Sequence, residues 1–309
     1  MKLIGSIHKK SKTILLLAVV VILTTGKVKA QQQFSFTQYM DNLTPFNPAY
    51  SLLDKAGSVN AMARKEWVGI DGAPTTFLVN ANLPLESIGA AAGLVLLNDK
   101  FAIEHKTEIN VYFAKSIQLG LNGYLAVSLN AGIRNYVANY SLLDATDPAF
   151  RNDVRQNKPN VGFGVMYFTD WYYIGVSVPE FTVTSLGTAS VQDNNNFKNH
   201  YYFAGALIAK VNDDIKFKPA TLVSYVKGVP LIADFSGIFY LKDVVGLGVN
   251  FRTNNEMAGI ITFNLEGFHL GYSYQFGTAS NNLGGFNMAT HEVTLSYRFG
   301  RGAANPKLL

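Results

Sequence analysis

The feature that most limits what this chain can fold into is a two-residue alternation in its last strand-like stretch, His291 to Phe299. Val293, Leu295, Tyr297 and Phe299 fall on one side, and Glu292, Thr294, Ser296 and Arg298 on the other, because strand side chains point alternately to opposite faces. The stretch upstream repeats it, with Phe268, Leu270, Tyr272, Tyr274 and Phe276 against His269, Gly271, Ser273 and Gln275. Such a ribbon has two homes. A soluble sandwich buries the apolar face in a core, whereas an outer-membrane barrel turns it to lipid and keeps the polar face in its lumen.

Read along the chain, the pattern predicts fourteen strands, near 58–68, 74–84, 88–98, 105–117, 123–135, 160–169, 171–181, 200–210, 215–226, 231–241, 243–252, 256–265, 267–276 and 290–299. The number is even, as in bacterial single-chain barrels, and most stretches approach the roughly 9–11 residues that cross a bilayer at a tilt. Alternation is plain where Leu125, Val127, Leu129, Ala131 and Ile133 oppose Ala126, Ser128, Asn130, Gly132 and Arg134. The stretch 88–98 is apolar on both faces and carries no direction.

Connection lengths separate the two homes. The even-numbered connections (85–87, 118–122, 170, 211–214, 242, 266) are all short. The odd-numbered ones include 69–73, 99–104, 136–159, 182–199 and 277–289, which hold every long loop. A barrel has short turns on its periplasmic rim and longer loops outside, while a sandwich has no reason to sort loops by parity. Aromatics such as Trp67, Tyr136, Trp171, Tyr172, Tyr201, Tyr297 and Phe299 gather near strand ends, where interfacial girdles sit. The expected fold is therefore an all-β transmembrane antiparallel β-barrel over 57–300.

The flanks have their own signatures. Lys2, Lys9, Lys10 and Lys12, the apolar run Ile14 to Leu23, and Val28-Lys29-Ala30 read as a cleaved signal peptide over 1–30. Its six lysines account for the basic balance: without them the net charge falls from +5 to about −1, so nothing points to nucleic acid. The chain has no cysteine, which excludes disulfides and thiolate chemistry. Residues 31–56, with Pro45 and Pro48, form a periplasmic lead-in or a lumen plug, and 301–309 is a short tail beyond Phe299.

Several motifs, in order, resemble one family. Gln38-Tyr39-Met40 with Asn47-Pro48-Ala49-Tyr50 resembles the opening of the PorP/SprF family of type IX secretion system membrane proteins, and Arg64-Lys65-Glu66-Trp67-Val68-Gly69-Ile70-Asp71-Gly72-Ala73-Pro74 resembles its most specific block. Asn98-Asp99-Lys100, Asp147-Pro148-Ala149-Phe150, Pro159 to Gly164 and Val176 to Pro179 continue the likeness. The resemblance implies an outer-membrane component of secretion or gliding motility machinery. Its implied partners are outer-membrane lipid, a periplasmic ring lipoprotein, other secretion subunits and a secreted surface adhesin. Gln38, Tyr39, Met40, Asn47, Pro48 and Tyr50 are candidates for partner contact or plugging. Arg64, Trp67, Gly69, Asp71, Gly72 and Pro74 are candidates for an outer-rim motif, in which Asp71-Gly72 is also simply a turn dipeptide.

Catalytic signatures are weak. His105, His200 and His291 fall at strand mouths and His269 faces the expected lumen, without metal-ligand spacing. No cofactor is expected, and the expected role is non-enzymatic, with a porin-like channel as the alternative. The lumen residues Glu108, Arg134, Lys216, Lys218, Asp234, Arg252, Glu292 and Arg298 mix both signs, which suits ion-paired filling better than a selective pore.

Overall fold

The computed structural model describes residues 35–143, 147, 152–182, 198–277, 289–301 and 303. The expected signal peptide, most of the tail, and the Asp147–Phe150 block apart from Asp147 lie outside the described residues. The strands are β1 (Gly57–Lys65), β2 (Thr75–Leu85), β3 (Ala90–Phe101), β4 (Glu104–Leu119), β5 (Gly123–Ala138), β6 (Val154–Phe168) and β7 (Tyr172–Thr182). They continue as β8 (His200–Leu207, resuming at Ala209–Lys210), β9 (Ile215–Val226), β10 (Ile232–Leu241), β11 (Val245–Arg252), β12 (Glu256–Leu265), β13 (Phe268–Gly277) and β14 (Thr290–Phe299).

Every strand pairs antiparallel with its sequence neighbours, and β14 returns to β1 with Gly57 opposite Phe299 and Lys65 opposite His291. The sheet is a closed ring of fourteen strands. Closure matters because an unpaired backbone group costs several kcal/mol in hydrocarbon, and a ring has no edge.

The alternation lands as the barrel requires. Leu129 is 70% exposed on the outside, and Val127, Val111, Phe163, Leu247 and Leu295 are exposed with it. Their inward neighbours Ser128, Asn130, Asn250 and Thr294 are buried. Each outward side chain favours hydrocarbon over water by roughly 25 cal/mol per Å² of apolar surface. The ambiguous stretch also resolves: on β3, Leu94 and Leu96 point out, while Val95 and Leu97 are buried inside.

Long connections 66–74, 139–153, 183–199 and 278–289 all leave one rim, and the opposite rim carries the even-numbered turns, the longest of them four residues (86–89 and 211–214). Rings mark both ends. Phe268 packs on Tyr297 with centroids 4.7 Å apart near the short-turn rim, and Tyr201 lies 6.0 Å from Tyr225 near the other.

Four strand limits differ from the expected ones by three residues or more. β6 begins at Val154 instead of near 160 and β5 runs on to Ala138 instead of 135, shortening the loop read as 136–159 to 139–153. Residues 155–158 are polar and Pro159 follows them, yet they pair with β5, as in Arg134 opposite Lys158. The described pairing of β6 with β7 runs from Asn160 opposite Thr182. The loop read as 99–104 shrinks to 102–103, because polar Asp99 and Lys100 remain in register with β2 and β4. β1 stops at Lys65, short of the expected 68, because Trp67 takes a left-handed φ of 47°.

Candidate functional site in the barrel lumen

The barrel is filled by its own N-terminal segment. Phe36, Gln38, Tyr39, Met40, Leu43, Phe46, Asn47, Pro48 and Ala49 are buried inside it, against inward residues such as Met62, Leu78, Met166, Tyr173, Ile238 and Tyr240. The segment folds as a string of turns ending in a 3-10 helix, Pro48–Leu52. Asn47 accepts from Ala49 N at 3.1 Å and Pro48 occupies the first helical turn, where its missing N–H costs nothing. Phe36 stacks on Phe46 at 5.1 Å, and Phe46 lies 4.9 Å from Tyr202 on β8.

Side chains from around the ring tie this segment down. Glu292 on β14 accepts from Thr37 N and Gln38 N, both at 2.9 Å. Arg64 on β1 reaches the same carboxylate at 2.9 Å and donates to Thr37 Oγ1 and to Gln275 Oε1. Lys218 on β9 donates to Met40 O at 2.7 Å and lies 3.3 Å from Asp41 Oδ1. Ser177 on β7 donates to Phe46 O at 2.7 Å, and Asn47 donates to Val165 O and Val176 O on β6 and β7. Arg298 holds Asp54 at 2.6 Å where the segment enters β1. The segment therefore runs from the depth of Arg64, near the long-loop rim, to the short-turn rim at Asp54.

Two glycines make room for it. A Cβ on Gly271 would collide with the Gln38 amide, and one on Gly164 with the Asn47 amide. Burial alone pushes the Asp41 carboxyl up, but the Lys218 ammonium and His269 outweigh it and hold it well below the usual carboxylate range.

The remaining inward charges pair with one another. Glu108 meets Arg134 at 2.9 Å, Arg134 meets Glu180 at 2.8 Å, and Asp234 meets Arg252 at 2.8 Å. This is the ion-paired filling expected from the mixed signs. Among the described residues no three His, Asp or Glu side chains are grouped as metal ligands.

The candidate outer-rim residues separate. Arg64 is buried inside and belongs to the Glu292 network. Trp67 meets the Phe101 ring edge-on at 6.1 Å. Gly69 and Gly72 take positive φ, Asp71 and Gly72 are exposed, and Gly72 O accepts from Ala102 N at 2.8 Å. Pro74 is buried and its carbonyl accepts from Glu66 N. Sequence reasoning missed Asp41, Asn80, Asn82, Ser177 and Glu180 as lumen groups. Asn80 and Asn82 carried a usable signal, alternating with the apolar Val79, Ala81 and Leu83.

An apolar band outside, a paired polar lining within and a closed antiparallel ring define a transmembrane β-barrel of the outer-membrane class. Solved structures similar to it include Acinetobacter baumannii outer membrane protein Omp33, at 8% identity, TM-score 0.46, covering 79% of this chain and 99% of that one. NanC porin follows at 8% identity, TM-score 0.41, covering 78% and 100%. The chain belongs to the type IX secretion system membrane protein PorP/SprF family, whose sequence profile matches residues 28–297. No curated protein matches it.

Proposed function

We propose that this protein is a non-enzymatic, self-plugged barrel of the type IX secretion and gliding machinery. It docks periplasmic ring subunits, or supports secretion and anchoring of surface proteins, instead of passing solutes. The observation that carries this reading is the lumen: residues 36–54 fill it and are fastened to β1, β6, β7, β9 and β14. A barrel sealed by its own chain contributes surfaces, namely the short-turn rim toward the periplasm and the long loops toward the outside. The Trp67–Pro74 connection and the residues Gln38 to Tyr50 act in this reading as rim contact and plug.

The test is photo-cross-linking in native envelopes from probes placed at the periplasmic turns, for example at Asp213 and Glu266, followed by mass spectrometry. A ring lipoprotein or another secretion subunit is expected among the adducts. Recovery of lipid and unrelated porins alone would refute the docking role. Steady conductance of the wild-type barrel in planar bilayers would favour a channel instead.

A further inference from the structure

Between the plug and the short-turn rim lies a cavity of about 400 Å³. That volume falls within the roughly 300–1,000 Å³ of small-molecule sites. Its hydrogen-bonding groups are incompletely satisfied. Asn264 Nδ2 donates to Asp243 O, which fixes the amide so that its oxygen faces His269 Nδ1 at 2.6 Å. Nδ1 is therefore the donor to Asn264. Nε2 faces Asp41 Oδ2 at 3.6 Å, and neither atom has a hydrogen-bond partner. At 3.6 Å the two are too far apart for a direct hydrogen bond, and a hydroxyl lodged between them can donate to the carboxylate. Asn82 Oδ1, on a residue only 6% exposed, is a further buried acceptor without a partner on the same wall.

The charges of the cavity cancel. Asp41 pairs with Lys218, Asp54 with Arg298, and Asp243 with Lys216. Lys242 and Glu266 add one charge of each sign, and the rest of the wall carries amides and hydroxyls, including Asn42, Asn60, Ser58 and Ser296, with the Tyr50 ring beside them. An ammonium ligand would find no net negative field there. Hydroxyl groups, which donate and accept, meet every requirement.

We propose that this cavity is a binding site for a neutral polyhydroxyl ligand, a saccharide segment presented from the periplasmic side. The inference does not depend on the secretion role, and failure of the cross-linking experiment would leave it intact.

The test is calorimetric titration of the full mature chain in a detergent without a sugar head group, since a maltoside would compete. One arm uses soluble cell-wall glycan fragments freed of peptide, and the other maltotriose. Saturable binding with Kd of about 1 mM or tighter is expected. It should weaken at least tenfold in Asn82→Leu and in His269→Phe, with heat-modifiable electrophoretic mobility showing that both variants remain folded. Binding of the fragments alone identifies wall glycan as the source, and equal binding of maltotriose identifies free saccharide. No saturable heat with either sugar, wild-type affinity in both folded variants, or displacement of bound sugar by methylammonium would overturn the proposal.

Discussion

Replacing Glu292 with alanine should unfasten the leading half of the plug while leaving the barrel closed. The Glu292 carboxylate is 1% exposed and serves Thr37 N, Gln38 N and Arg64 Nη1 together. Breaking a buried ion pair by removing one partner costs roughly 3–5 kcal/mol, because the other charge is left uncompensated. Here the lower end applies, since Arg64 keeps Glu66 Oε1 at 3.0 Å and Gln275 Oε1 at 3.0 Å. Two orphaned plug N–H groups then favour a segment that leaves the wall and takes water. The ring itself keeps its ladder, because β1 and β14 stay paired from Gly57 opposite Phe299 to Lys65 opposite His291. In planar bilayers the wild type should be electrically silent and Glu292→Ala should show intermittent openings, with residues 35–46 newly cleavable by added protease. The double variant Arg64→Met with Glu292→Leu should be less perturbed than either single change, because no buried charge is left alone. A silent, protease-resistant Glu292→Ala barrel with unchanged heat resistance would refute the claim that this carboxylate anchors the plug.

Three other perturbations probe the same architecture. Because Asp41 is held below the usual carboxylate range, its contribution is complete above the ordinary value of about 3.9 and is lost as pH falls through its lower folded value. The temperature at which heat-modifiable mobility is lost should therefore drop below about pH 4 in the wild type and flatten in Asp41→Asn. Gly271→Val and Gly164→Val should expel the plug and raise conductance, whereas Gly259→Ala, whose Cβ would meet nothing within 4 Å, should behave as wild type. Leu129→Arg, on the lipid face, should cost about 2–4 kcal/mol and lower folding yield into lipid vesicles, read as the folded fraction on electrophoresis.

How far the sequence could be read depended on the range of the physics at work. The lipid-facing residues were legible because outward exposure follows from position along one strand, as in Val293 and Leu295 against Glu292 and Thr294. Strand limits were less legible at the long-loop rim. There Asp99, Lys100 and residues 154–159 look like loop but are held in register by neighbours that supply hydrogen bonds above the hydrocarbon. Val95 and Leu97 could not be assigned a direction, because a lumen filled by apolar plug residues makes the inner face of β3 as greasy as the outer.

By itself the sequence determined an apolar exterior, a closed strand ring and the sorting of loops to two rims, since period-two alternation and turn chemistry act between residues close in the chain. Only the tertiary structure decided what occupies the lumen. Gln38 and Glu292 stand 254 positions apart, and Lys218 meets Met40 across 178. A ring must close before such groups face each other, so no local pattern encodes their pairing.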